Sequence, residues 1–217
     1  FHFNIKGFSR YIWDFESSAT ENTKGRYLAY GQIEYFDLKN RHKSFNPQET
    51  DFDWNYIPGA TTKVLPDKVL QDKGGSSSGH RNFSDETFLT GVHASDKNAM
   101  FSFRMHDITY DQSFRANKSV FVFENFLLCL GSDIQTKDKR YPTITTLFQS
   151  FSRNTSEERM PEGYILKSKN GYTNGLYTVV YWSTNSSGNQ INKAIYLLHT
   201  TNEIKDGNIT DRALSVR

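Results

Sequence analysis

Residues 120–130 read VFVFENFLLCL. Two short apolar runs, Val120–Phe123 and Phe126–Leu130, flank the polar pair Glu124-Asn125. Short runs rich in Val, Phe and Leu joined by a polar pair are the pattern of two strands closed by a tight hairpin turn. The same unit recurs outward from this point. Phe1–Ile5, Tyr27–Phe36, Ala99–Arg104, Thr143–Phe148, Tyr177–Trp182 and Ala194–His199 are short stretches rich in Val, Ile, Thr, Tyr and Phe, set apart by Gly, Asn, Asp and Ser clusters. Gly171 and Gly175 mark a turn before Tyr177, and residues 186–189 (SSGN) mark the next. Helical periodicity is confined to Pro66–Gln71. The segment 72–82, DKGGSSSGHRN, reads as a polar loop of the length that serves as a lid or a binding loop. The expected fold is all-β: one large antiparallel β-sandwich of stacked sheets spanning residues 1–217. The 120–130 hairpin, Cys129 included, is expected in its core.

Composition narrows the function classes. The 217 residues carry 26 Lys and Arg against 24 Asp and Glu, a formal charge of +2, which gives no electrostatic case for nucleic acid or an acidic membrane surface as partner. No apolar run comes near the ~20 residues of a membrane-spanning helix. Seventeen Phe, 12 Tyr and 3 Trp supply core bulk that a wholly disordered chain lacks. Cys129 is the only cysteine, so an internal disulfide and a Cys-rich zinc site are both excluded. The chain opens on Phe1-His2-Phe3 without Met or a leader pattern, and is expected to be a piece of a longer polypeptide.

Signals of chemistry are sparse. His2, His42, His80, His93, His106 and His199 form no metal-ligand spacing, so no metal site is expected. They read as surface or structural histidines, except that His80 stands beside Arg81 in the Gly/Ser loop, where a ligand could be met. No G-x-S-x-G, G-x-G-x-x-G or Walker pattern occurs, and the run 74–79 (GGSSSG) lacks the Lys of a phosphate cradle. Asp14, Glu16 and Glu21, followed by Asn22, cluster beside Trp13 and Phe15. A carboxylate against aromatic rings is partly desolvated, and its pKa rises unless a cation or a hydrogen-bond donor holds it ionised. On pattern alone this is an acidic loop edge, with Arg10, Lys24 and Arg26 close enough in sequence to pair with it at the surface, where such pairs contribute little. Aromatics interspersed with Asn, Arg and Lys suit carbohydrate contact, and equally build an ordinary β-sandwich.

A more specific match comes from four segments in order. FDWNYIPGATT (52–62) resembles the W-x-x-x-x-G-x-T-T stretch of the chondroitin and hyaluronan lyases, polysaccharide lyase family eight. FESSATENTKGRYLAYGQIEY (15–35) is similar to the family segment that holds a Glu, then E-N, then G-x-Y. NKSVFVFENFLLCLGSDI (117–134) is similar to its K-S-x-F-x-F hairpin, and TTLFQ (145–149) matches the T-T-L-x-Q that follows. The -GATT- and -TTLFQ- wording resembles the broad-specificity chondroitin sulfate ABC group. Residues 150–217 carry no such likeness and continue the strand pattern.

The resemblance implies that this chain is the central β domain, preceded by a helical toroid and followed by a smaller β domain. It implies β-elimination at the uronic acid of a glycosaminoglycan, leaving a 4,5-unsaturated sugar and needing no cofactor. The His, Tyr and Arg of the family site belong to the helical domain, so this chain alone is expected to be inactive. The family Glu falls on Glu16, nine residues before Gly25, with the expected role of an ionised catalytic-site carboxylate that holds the neighbouring domain's Arg and Tyr. Relatives often carry Asn three residues after this Glu, where this chain has Ala19. His80 and Arg81 are the candidates for sulfate or carboxylate contact. Trp54 is expected to be a core aromatic and Pro58-Gly59 a tight turn. The expected partners are the polysaccharide and the helical domain of the same polypeptide, with neither nucleic acid nor membrane. The expected location is periplasmic or secreted. Two other readings stay open, a carbohydrate-binding or scaffold sandwich and a lectin-like domain.

Overall fold

A computed structural model describes residues 2–13, 16–17, 23–37, 42–43, 52–71, 80–81, 83–124, 126–151, 162–168, 176–184, 190–199, 206–210 and 213–216. Of these, His2, Glu16, Ser17, His80, positions 35–37 and 42–43, and everything from Ser150 onward are described by backbone alone. The chain forms two compact units, one of residues 1–45 and 54–146, the other of residues 46–53 and 147–217.

Among the described residues, the first unit runs β1 (His2–Ile5), β2 (Glu16–Ser17), β3 (Ile33–Asp37), β4 (His42–Lys43), β5 (Thr61–Lys63), the helical turn α1 (Asp67–Leu70), β6 (His80–Arg81), β7 (Leu89–Ser95), β8 (Asn98–His106), β9 (Arg115–Val122), β10 (Leu127–Gln135) and β11 (Thr143–Thr145). These pair as β1-β3-β4, as the meander β10-β9-β8-β7, and as the ladders β11-β5 and β2-β6. Every ladder is antiparallel. The all-β expectation holds, and α1 sits inside the predicted 66–71 segment with Pro66 at its N-cap and Gln71 at its C-cap.

The core lies under the meander. Met105 stands opposite Ala116, Phe103 opposite Lys118 and Phe101 opposite Val120. All of these but the half-buried Phe101 are buried. Phe8, Tyr30 and Phe114 pack behind them. Tyr30 stacks on Phe8 with ring centroids 4.9 Å apart, and Phe8 meets Phe103 at 6.4 Å. Each such ring, fully buried, contributes about 1.5–3 kcal/mol of transfer free energy.

Segments that carry the family likeness converge here. Thr61 pairs with Thr145 across β5 and β11, with their hydroxyls 2.9 Å apart. Thr62 Oγ1 donates to Asn55 O at 2.9 Å. The Asn55 amide in turn brackets Leu65, accepting from its N–H at 2.8 Å and donating to its carbonyl at 3.0 Å. Tyr27 Oη donates to Lys63 O at 2.8 Å. Lys118 Nζ donates to Thr61 Oγ1 at 2.8 Å and Gly59 O at 3.2 Å.

Pro58-Gly59 is the expected tight turn, closed by Ala60 N–H donating to Ile57 O at 3.0 Å. Gly59 has φ +81°, and a Cβ there would stand 2.6 Å from Ile33 N and 2.9 Å from Gly31 O, both backbone atoms. Gly59→Ala is therefore expected to destabilise the chain by about 2–3 kcal/mol, from left-handed strain plus displaced backbone. The check is the thermal unfolding midpoint against wild type.

Several expectations are corrected. The Tyr27–Phe36 run is not one strand: Gly25–Tyr27 is a 3-10 turn, and β3 begins only at Ile33. Helical turning brings Tyr27 and Tyr30 to the same side, rings 4.9 Å apart, so both are buried together. The Thr143–Phe148 run breaks at Thr146, whose backbone pairs instead with Gly59 and Ala60. Trp54 is half-buried, and the buried aromatics of its segment are Phe52 and Tyr56. The 120–130 hairpin forms, with Val122 opposite Leu127, but β10 is not core. Phe126, Leu128, Cys129 and Leu130 are exposed, because β10 is the edge strand and the aromatic layer beneath the sheet covers β8 and β9.

In the second unit, β12 (Phe148–Phe151), β13 (Glu162–Ser168), β14 (Leu176–Thr184), β15 (Gln190–His199), β16 (Asp206–Thr210) and β17 (Ala213–Val216) form two antiparallel sheets, β12-β17-β16 and β13-β14-β15. The predicted turns at Gly171/Gly175 and 186–189 lie outside the described residues, between strands that pair antiparallel. Gln149, the last residue of TTLFQ, clamps the Asp53 backbone, accepting from its N–H at 2.9 Å and donating to its carbonyl at 3.0 Å.

Candidate functional site

The candidate residues from the sequence meet on one ladder. β2 pairs with β6 so that Glu16 stands opposite Arg81 and Ser17 opposite His80. His80 and Arg81, expected inside the 72–82 loop, are thus strand residues at its end. The rest of that loop, and Asp14, Phe15, Ala19, Glu21 and Asn22, lie outside the described residues.

Aromatic residues flank the ladder. The Arg81 guanidinium lies over the Trp13 ring, 5.0 Å from its centroid, and Trp13 meets Phe83 edge-on at 6.2 Å. Trp13 precedes β2 and Phe83 follows β6, so one ring comes from each side of the pairing. Tyr11, Ile12 and Trp13 are exposed, Tyr11 by 72%. They are held out by a turn on buried Ser9, whose Oγ accepts from Tyr11 N–H at 3.1 Å and Ile12 N–H at 3.3 Å. Backbone bonds Ser84 N–H to Ser9 O (3.2 Å) and Arg10 N–H to Glu86 O (2.7 Å) tie this turn to the segment between β6 and β7.

Charges elsewhere in the unit are committed to the frame. Arg26 does not sit at an acidic surface edge: it is buried, with Nη1 donating to Thr109 Oγ1 at 2.8 Å and Nε and Nη2 reaching the Leu70 and Val69 carbonyls at 3.4 Å. Those carbonyls end α1 and would otherwise lack donors. Lys24 pairs with Asp67 at 2.9 Å. His106, also buried, faces acceptors on both ring nitrogens, Asp85 Oδ1 at Nδ1 and Gln112 O at Nε2. Desolvation pushes the Asp85 carboxyl up, but the His106 ring and Arg115 outweigh it and hold the pKa low.

Lys63 is fully buried and bonds Thr136 Oγ1 at 2.9 Å, with Asp111 Oδ2 at 3.3 Å and Asp138 Oδ2 at 3.9 Å. Burial pushes Asp111 up, and donors from Ser113, Thr136 and Lys63 bring it below the usual carboxylate range. A two-bond fork from Arg140 holds Asp138 lower still. Lys118 has no carboxylate partner among the described residues, and burial pushes its ammonium down to about 8. Lys63 and Lys118 escaped the sequence reading because their partners, Asp111 and Asp138 for the one and Thr61 for the other, are tens of residues away. The one available signal was Lys118, which alternation along β9 places on the same face as the buried Ala116 and Val120.

The arrangement at β2-β6 offers an acid, a guanidinium and exposed aromatic surface within a few residues. Exposed rings such as Tyr11 and Trp13 are the kind of surface on which the apolar face of another ring can stack. Among the described residues no group of His, Cys, Asp and Glu could hold a metal ion, and no helix is long and apolar enough to cross a membrane.

Antiparallel sheets with almost no helix among the described residues define an all-β domain. Residues 1–201 match the description "Polysaccharide lyase family 8, super-sandwich domain", and the chain belongs to that family. It is 38% identical over 150 residues to the chondroitin sulfate ABC exolyase of Proteus vulgaris, covering 66% of this chain and 15% of the relative. To the chondroitin sulfate ABC exolyase of Bacteroides thetaiotaomicron it is 35% identical over 155 residues, again 66% of this chain and 15% of the relative. The fold matches the X-ray structure of the Streptomyces coelicolor A3 chondroitin AC lyase, solved with chondroitin sulphate, at a TM-score of 0.58 and 16% identity, covering 99% of this chain and 27% of that one. The chain therefore spans about a seventh of the length of those exolyases.

Proposed function

We propose that this chain is the central β domain of a larger glycosaminoglycan lyase that cleaves chondroitin or dermatan sulfate by β-elimination, and that Glu16 is the acid it brings to the site. The observation that supports the reading is the β2-β6 register, which pairs the backbone of Glu16 with that of Arg81, the residue whose guanidinium lies over Trp13, in a chain of this family. In β-elimination the weakly acidic C5 proton leaves once the adjacent carboxylate is neutralised and the developing enolate is stabilised. A base then takes the proton, and an acid protonates the leaving oxygen at C4. Base, acid and neutralising Arg come from the preceding helical domain, and Glu16 holds the Arg and Tyr in place. The reading includes polysaccharide and helical domain as partners, no cofactor, and export to periplasm or medium, as the family likeness suggests.

Product analysis tests it. The full-length polypeptide on chondroitin sulfate is expected to give oligosaccharides absorbing in the ultraviolet through a 4,5-double bond, while residues 1–217 alone give none. Products without that absorbance, or cleavage by residues 1–217 alone, would defeat the proposal. A scaffold role is the second reading, and one observation favours it: the residues that carry the family likeness, Gly59, Thr61, Thr62, Lys118 and Tyr27, all bond to the frame.

A further inference from the structure

Residues 9–13 read SRYIW, and every one after Ser9 is exposed. Ile12 is 48% and Trp13 45% exposed, and Phe83, edge-on to Trp13, is exposed as well. Single apolar side chains at a surface are ordinary, but three in a row beside a fourth form a patch, and such patches mark contact surfaces. The turn that carries them is fixed. Ser9 N–H donates to Ile12 O at 2.9 Å, in addition to the bonds that its hydroxyl accepts. Ser84, which binds Ser9 O, is itself buried and donates from Oγ to His106 O at 3.0 Å, so the turn is anchored to β8. Rings held out on such a frame lose little further freedom when a ligand settles on them. We propose that the Tyr11–Trp13 turn with Phe83 is a sugar-binding surface, on which pyranose rings of an acidic polysaccharide stack while Arg10 meets an anionic group of the same polymer. This rests on the reading of the parent polypeptide as a glycosaminoglycan lyase.

Charge decides which occupant fits. A pyranose ring offers an apolar C–H face, which suits the exposed Tyr11 and Trp13 rings, and a polar rim that in an acidic polysaccharide carries carboxylate or sulfate. Arg10 is exposed and pairs with no acid among the described residues. The acids of the segment that anchors the turn are already matched: Asp85 pairs with His106, and Glu86 with Arg115 at 2.9 Å. The Arg81 guanidinium over Trp13 adds positive charge to the same surface. A protein domain seated on these rings would have to desolvate the Arg10 guanidinium, whereas a polyanion offsets that with charge of its own.

The experiment compares Tyr11→Ala, Trp13→Ala, Trp13→Phe and Arg10→Gln in the full-length polypeptide, on chondroitin and on chondroitin sulfate, with the thermal midpoint of each variant. Tyr11→Ala and Trp13→Ala are each expected to raise KM about three- to tenfold, the value of one lost ring contact, with kcat within about threefold of wild type. Trp13→Phe keeps a ring and should keep most of the affinity. Arg10→Gln should raise KM about fivefold at low salt, and the difference should shrink as salt rises. A rise on both polymers makes the uronate carboxylate the group that Arg10 meets, and a rise on the sulfated polymer alone makes it sulfate. No rise on either polymer overturns the part given to Arg10. Unmoved KM in both alanine variants overturns the sugar surface. So does a fall in kcat and thermal midpoint with KM unmoved, which would make the turn a seat for another domain. If wild type forms ultraviolet-absorbing products while the ring variants leave KM unmoved, this inference alone fails. If wild type forms none, the underlying reading as a lyase fails with it.

Discussion

Glu16→Gln in the full-length polypeptide is expected to lower kcat for elimination by about 10²- to 10³-fold, the usual effect of removing one preorganised electrostatic group from a site. Glutamine keeps the size of the side chain and leaves the β2-β6 backbone pairing intact, so what changes is the charge. On the proposed reading, an ionised Glu16 would attract the guanidinium of the neighbouring domain and fix the hydroxyl beside it, whereas a neutral amide would only hydrogen-bond. The group that neutralises the uronate then loses its alignment in the transition state. Substrate binding, spread over many sugar contacts, changes little, so KM should stay within a few-fold. Initial rates of ultraviolet absorbance on chondroitin sulfate measure this directly. Activity within a few-fold of wild type would move the domain to the scaffold reading.

The strands were legible because alternation and turn chemistry are local. The 120–130 hairpin, the 66–71 turn and the Pro58-Gly59 corner all follow from residues within a few positions of one another. Burial was less legible. Nothing in LLCL distinguishes an edge strand from a central one, so Cys129 and Leu130 were assigned to a core that ends one strand earlier. At the candidate site, Glu16, His80 and Arg81 were each singled out from local context and family likeness. Their meeting in one register was not visible, because Ser17 and His80 are 63 positions apart. The Arg81–Trp13 stack depends on that register and was hidden with it. Arg26 was misread for the opposite reason: its sequence neighbours are acidic, while its spatial neighbours are the carbonyls that end α1.

Lys63→Met is expected to cost the fold about 3–5 kcal/mol at neutral pH, because breaking a buried ion pair leaves charge without its partner. That should lower the thermal midpoint by about 10 °C. In wild type, the fully buried Lys63 ammonium sits 3.3 Å from Asp111 and 3.9 Å from Asp138, with Thr136 as a further bond. Without it, Asp111 keeps only the Ser113 and Thr136 donors in a site where its side chain is 6% exposed. Met fills the same volume, so the loss reports charge and not a cavity. A companion variant, Lys63→Met with Asp111→Leu, removes both charges and should recover a large part of the loss, since apolar replacement of a buried pair is often neutral. The pH dependence separates this cause from simple misfolding. Asp111 and Asp138 have folded pKa values below those of the unfolded chain. Between the two values the unfolded state binds more protons, so wild-type stability is whole above about pH 4 and is lost as pH falls through the folded values. In wild type, protonating those acids strands Lys63 as a buried, unpaired cation. In Lys63→Met the same protonation removes the stranded carboxylate charge, so the gap between the two proteins should narrow steadily below about pH 4. A gap that stays constant from pH 7 to 3 would mean that Lys63 acts through packing and not through its charge.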